Sequence, residues 1–118
     1  MLFFLIPVFS FLFKKGTRRT MVLADDRNIP EDEYVMRMND SGMIDAAILP
    51  SDYLMVHIQD DVDIGDITVA VHDENTIVRR LGIKDGGIYL IPENDSYICI
   101  KKSDVTIIGR VVSMKRAL

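Results

Sequence analysis

From residue 34 onward, short apolar runs alternate with polar breaks, and within the runs the period is two rather than 3.6. "YVMRM" (34–38), "YLMVHI" (53–58), "DITVAV" (66–71) and "TIVRRL" (76–81) read as strands, because successive side chains of an extended chain face opposite sides. The breaks carry turn residues. "DVDIGD" turns between the second and third runs and "HDEN" between the third and fourth. "KDGG" (84–87) offers Asp-Gly, a hairpin signal because glycine accepts positive φ. "IYLIP" follows as a strand, and "VTIIGRVVSMKR" supplies one or two more, with Gly109 at a bend or bulge. One segment departs from this period: "GMIDAAI" (42–48) predicts a helical turn or two, with Asp40 or Ser41 able to cap it. The predicted fold is mainly β, a compact, curved, barrel-like sheet with one short helix. The late run "RVVSMKR" is expected at a sheet edge, where unpaired backbone invites a second copy.

The pattern divides the chain into residues 1–20, apolar then basic; residues 21–33, a flexible arm; and residues 34–118, the β domain. "MLFFLIPVFSFLF" is shorter than the roughly 20 apolar residues of a membrane-spanning helix, and Pro7 interrupts it. Its positive charges follow the apolar run, whereas a secretory signal carries them in front. Three readings stay open: membrane contact by residues 1–13 as a surface anchor, a poor span, or residues ahead of a start at Met21.

The 118 residues are 48% hydrophobic, enough for one modest core. Four basic residues (Lys14, Lys15, Arg18, Arg19) precede residue 20, which leaves ten against all 18 acidic residues in the remainder. So acidic a body is a poor surface for phosphate backbones, and direct nucleic-acid binding is not expected. The single cysteine, Cys99, cannot form an internal disulfide; flanked by Ile98 and Ile100, it reads as a small core residue. That usage fits a cytoplasmic protein.

"MIDAAILPSDYLMV", "GDITVAVHDENTIVRRL" and "LIPENDSY" occur in this order. Together they resemble the carboxy-terminal domain shared by LexA-type repressors and UmuD-type polymerase accessory proteins, over roughly residues 34–116. The resemblance implies a homodimer and self-cleavage by a serine–lysine pair. The serine would stand just before the Met of the helix start, the lysine at the first Arg of "VRRL", and the cut at an Ala-Gly or Cys-Gly bond upstream. Such a lysine must be desolvated to lose its proton and serve as the base.

On these positions the chain departs from the pattern. The nucleophile position is Gly42 and the lysine position Arg79, 37 residues apart, which matches the family spacing without a gap. Ser41 lies one place early. Arg79 alternates with Ile77 and Leu81, so it points to the apolar face, but a guanidinium does not give up its proton in proteins. No Ala-Gly or Cys-Gly pair precedes Tyr34. The reading is therefore a domain without an intact catalytic set, acting as a dimerising, protein-binding module in stress-response (SOS) or phage-type regulation. Another regulatory protein or a polymerase subunit is the partner class the resemblance implies. A helix-turn-helix domain precedes this region in LexA-like relatives and is not seen here, so the short arm is closer to the UmuD-type layout.

Simpler readings stand beside these. Arg79 is either a strand arginine with an acidic partner or the occupant of the old lysine pocket. Ser41 is either a cap or a displaced nucleophile, the latter giving an active self-cleaving peptidase. A membrane-anchored signal-peptidase relative is a third alternative. His57 and His72 lie at strand ends with no spacing that ties them to Ser41. No His/Cys/Asp cluster has ligand spacing, "DDVDIGD" lacks calcium-loop order, and no phosphate-cradling glycine loop occurs, so neither metal nor cofactor is expected.

Overall fold

A computed structural model describes the backbone of residues 8–12 and the chain from residue 30 to residue 117. Eight strands form one antiparallel sheet: β1 (Val8–Leu12), β2 (Glu33–Arg37), β3 (Tyr53–Ile58), β4 (Ile67–His72), β5 (Asn75–Lys84), β6 (Gly87–Ile91), β7 (Ile100–Lys101) and β8 (Thr106–Ala117). The order is β2-β3-β8-β4-β5-β6-β7, and β1 pairs with β8. The mainly β expectation holds, and most strand limits fall within a residue or two of the periodic runs. The readings placed on residues 1–7 and 13–29 lie outside the described residues. Residues 8–12 run extended against 113–117.

β8 is the spine of the sheet. β3 covers one side of it over residues 109–115, while β4 and then β1 cover the other. This corrects the expectation for "RVVSMKR": it is an interior strand with both neighbours in place, not a free edge. Each neighbour meets a register shift, so β8 carries an extra residue at Ile108 against β4 and at Val112 against β3. Such bulges bend and twist a strand, which curves the sheet. Gly109 lies beside the first, where an added Cβ would run into the His57 carbonyl of β3.

Two clusters form the core, and alternation along β4 and β5 divides residues between them. Val69 and Val78 join Met43, Ile48, Leu54, Val56, Val111 and Met114, while Ala70, Ile77 and Leu81 join Val62 and Leu90. Cys99, expected inside, is only half-buried, and its neighbour Ile98 is 77% exposed.

The hairpin turns are of the two-residue kind. Asp85 and Gly86 both have positive φ (50° and 80°), as a type I′ turn requires. Asp73 and Glu74 do the same (49° and 68°) without any glycine. The helix predicted over 42–48 is shorter than expected, a single 3₁₀ turn at Ile44–Ala46. Ala47 ends it in the left-handed region at φ 66°, and the Asp45 N–H leaves the turn to donate to the Glu93 carbonyl at 2.9 Å. Neither Asp40 nor Ser41 caps it: the turn begins after Met43 with no side-chain cap, and Asp40 Oδ1 instead accepts from the Gly42 N–H at 2.8 Å in the turn ahead of it.

A buried guanidinium in the candidate active site

Motifs far apart in sequence meet around Gly42. The Glu93 N–H donates to the Gly42 carbonyl at 2.8 Å, and Asn94 Nδ2 donates to the Ser41 carbonyl at 2.8 Å. Tyr97 adds its hydroxyl, 3.2 Å from Ser41 Oγ and 3.3 Å from the Ser41 N–H. "PENDSY" is thus the clamp that holds the segment 41–45, a role its sequence alone did not show.

Arg79 reaches the same place from β5, opposite Thr68 on β4. It is 4% exposed, as the alternation predicted. Nη1 and Nη2 donate to the two carboxylate oxygens of Asp40 at 3.2 and 3.1 Å, and Nη1 also donates to the Val78 carbonyl at 2.7 Å. The guanidinium carbon lies 5.0 Å from the centre of the Tyr97 ring, a cation–π distance. Arg79 Nε is buried without a hydrogen-bond partner among the described residues. Of the two simple readings of Arg79, the acidic partner is present: Asp40 holds the guanidinium beside Gly42.

The Gly42–Arg79 contact is what the arrangement turns on. A Cβ at residue 42 would lie 2.5 Å from the Arg79 guanidinium carbon and 2.8 Å from Nη2. A side chain at 42 therefore requires this guanidinium to shift, against its bonds to Asp40 and the Val78 carbonyl. The glycine makes room for the cation, and Asp40 holds the cation over it.

Among the described residues, the hydrogen-bond partner of the Ser41 hydroxyl is the phenol of Tyr97. The histidines are engaged elsewhere. His57 bonds Gln59 and Asp32, and His72 lies 3.8 Å from Asp73. Among the described residues, the site brings together the Ser41 hydroxyl, the Tyr97 phenol and the Asp40–Arg79 pair.

A second motif of the resemblance, the Asp-Tyr before β3, also finds its reason. Asp52, 3% exposed, accepts from Arg116 Nε and Nη2 at 2.7 Å each and from the Leu49 N–H at 2.8 Å. Arg116 Nη2 also donates to the Ala47 carbonyl at 2.7 Å. The hydrogen bond to Asp52 pushes the Arg116 pKa up from its ordinary value, favouring the charged guanidinium. It ties the carboxy-terminal strand to the segment beside the site.

The fold also gathers three groups whose sequence spacing gave no signal, Asp32, Glu33 and His57. They lie at the entry to β2, where Glu33, read as the last residue of the arm, is instead the first of the strand and buried.

Among the described residues no helix is long and apolar enough to cross a membrane. Residues 10–112 match the Peptidase S24-like family. The chain is 39% identical to the LexA repressor of Frankia casuarinae over 83 residues, 70% of this chain and 32% of that protein. It is 36% identical to the LexA repressor of Frankia alni over 85 residues (72% and 34%) and 36% identical to that of Streptomyces coelicolor over 83 (70% and 36%). It spans about a third of the length of these relatives. By these matches the chain belongs to the Peptidase S24-like family, the LexA/UmuD family of domains.

Proposed function

We propose that this chain is a Peptidase S24-like domain that does not cleave itself and that works as a dimerising, protein-binding module in stress-response or phage-type regulation in the cytoplasm. The observation that carries this reading is the Arg79 guanidinium packed against Gly42 and paired with Asp40. Self-cleavage by a serine–lysine pair needs a hydroxyl and an amine that can shed its proton. Here the first position has no side chain, and the second holds a cation that stays protonated. A serine one place early, bonded to a phenol, supplies neither the direction nor the base. The regulatory setting follows from the relatives, which are repressors by name. The homodimer, and a regulatory protein or polymerase subunit as partner, follow from the resemblance to the LexA/UmuD domains.

Mass spectrometry of the full chain after prolonged incubation at alkaline pH, held below about 10, the ordinary tyrosine value, tests the loss of cleavage. The expected result is an intact mass. A discrete cut between residues 14 and 33 that disappears in Ser41→Ala would make Ser41 the nucleophile and overturn the proposal.

A further inference from the structure

Glu33 on β2 stands directly across from His57 on β3 in the antiparallel ladder, so their side chains share a face. Asp32 precedes Glu33 in the turn that enters β2. Each of the three contributes one ligand-type atom, and these atoms all lie within 4.8 Å of one another. Backbone bonds hold them there. The Ile58 N–H donates to the Asp32 carbonyl at 2.8 Å, and the Glu33 N–H donates to the Pro30 carbonyl at 3.1 Å.

The imidazole is oriented from behind. Gln59 Nε2 donates to the Asp61 carbonyl at 2.7 Å, which leaves Gln59 Oε1 as the atom facing His57 Nδ1 at 2.7 Å. An oxygen acceptor there requires the hydrogen on Nδ1. Nε2 then faces the Asp32 carboxylate 2.8 Å away, so that either a proton, as in an imidazolium–carboxylate pair, or a metal ion has to lie between them. A histidine that donates its far N–H to a carbonyl while Nε2 faces carboxylates is the arrangement that outer-sphere partners give to metal ligands.

We propose that Asp32, Glu33 and His57 form a site for one zinc-type divalent cation, which would tie the entry of β2 to β3. The fit in size is close. An ion central to three atoms no more than 4.8 Å apart sits within about 2.8 Å of each, against about 2.0–2.2 Å in zinc sites. A contraction of less than about 1 Å per ligand closes the difference, and the Asp32 side chain, 60% exposed, is free enough to make most of it. Glu33 is 6% exposed, so one of the two carboxylates sits where water competes poorly for the cation. One imidazole with two carboxylates favours zinc over magnesium, which prefers an all-oxygen, largely hydrated shell. Three protein ligands leave the fourth position to water. The site is separate from the Gly42–Arg79 contact and stands or falls independently of the cleavage reading.

The test is calorimetric titration of the chelator-treated full chain with Zn²⁺, with Mg²⁺ as comparator and Co²⁺ as a visible probe. Saturable binding of one Zn²⁺ per chain is expected, with no response to equimolar Mg²⁺. His57→Gln and Glu33→Gln should each weaken it by about tenfold or more, and Gln59→Leu by about tenfold through the second sphere. His72→Gln, remote from the site, should leave it unchanged. The Co²⁺ adduct should show d–d bands without thiolate charge transfer. Absence of saturable Zn²⁺ binding up to about 1 mM would overturn the proposal. So would binding that a folded His57→Gln chain retains in full, or a thiolate band that Cys99→Ser removes.

Discussion

Two residues distant in sequence, Gly42 and Arg79, share one volume in space. Gly42 and Arg79 lie 37 residues apart, yet any Cβ at 42 would overlap the guanidinium. Gly42→Ser should therefore cost stability by about 1–3 kcal/mol, the usual penalty for overpacking a buried contact, and should not restore cleavage. Gly42→Ser with Arg79→Lys should cost less than the two single changes together, because the lysine is narrower and vacates the contested volume. Urea unfolding of the four chains measures this coupling; additivity within about 0.5 kcal/mol would show that the contact is not the constraint. The double variant is also the one in which self-cleavage is worth assaying. Asp52 is the other residue on which much converges, accepting three hydrogen bonds while almost fully buried. Asp52→Ala should destabilise the chain by about 2–4 kcal/mol, somewhat below the full loss of a buried ion pair because Arg116 keeps partial access to water.

The elements show where turn chemistry is satisfied and where it is strained. At Asp85-Gly86 the second position is glycine, and the left-handed conformation there costs nothing. At Asp73-Glu74 the same turn is made with a glutamate at φ 68°, against a steric penalty of about 1 kcal/mol. Glu74→Gly should raise the urea midpoint by the equivalent of about 0.5–1 kcal/mol, with no change in the slope. An unchanged or lowered midpoint would mean that the Glu74 side chain contributes more than its backbone strain removes. Gly109 is the opposite case. Its backbone is unexceptional, but β3 approaches so closely that an added methyl meets the His57 carbonyl. Gly109→Ala should therefore cost more than Glu74→Gly gains, by opening the β3–β8 ladder at its bulge.

At the scale of the whole molecule, the sheet runs from β2 to β7, and the strand expected to be free for pairing is its interior. Dimerisation through the β domain, which the resemblance implies, then has to use another surface. Sedimentation of the full chain at tens of micromolar, within the usual affinity range, should show a dimer; monomer alone would remove the dimer from the proposed function. Stability should also depend on alkalinity in a defined way. Burial raises the Tyr34 pKa above its ordinary 10.0. A group whose folded pKa is raised contributes stability that is intact below the unfolded value and lost as pH rises through the folded one. The folded chain should thus hold its stability up to about pH 10 and lose some above it, and Tyr34→Phe should flatten that loss. Chemical denaturation between pH 8 and 11, chosen to bracket the tyrosine range, reads both slopes.

Period-two alternation determined by itself that the chain is mainly β, where β3 and β5 run, and that Arg79 faces inward, because alternation is a local property that any packed sheet must respect. Asp85-Gly86 likewise announced its hairpin, since the demand for positive φ is met within two residues. That Gly42 and Arg79 stand where the resemblance expects a serine and a lysine is a reading of the sequence motifs; the structure adds that the two residues are in contact. Tertiary structure alone decided the rest. The helix stops at one turn where Ala47 goes left-handed, on a segment held by Glu93 from a distant part of the chain. The carboxy-terminal run became an interior strand because β3, β4 and β1 converge on it from distant segments. The group at Asp32, Glu33 and His57 exists only once β2 lies beside β3. That a side chain at 42 would meet the guanidinium of Arg79 is a matter of shared volume, and a one-dimensional pattern carries no volumes.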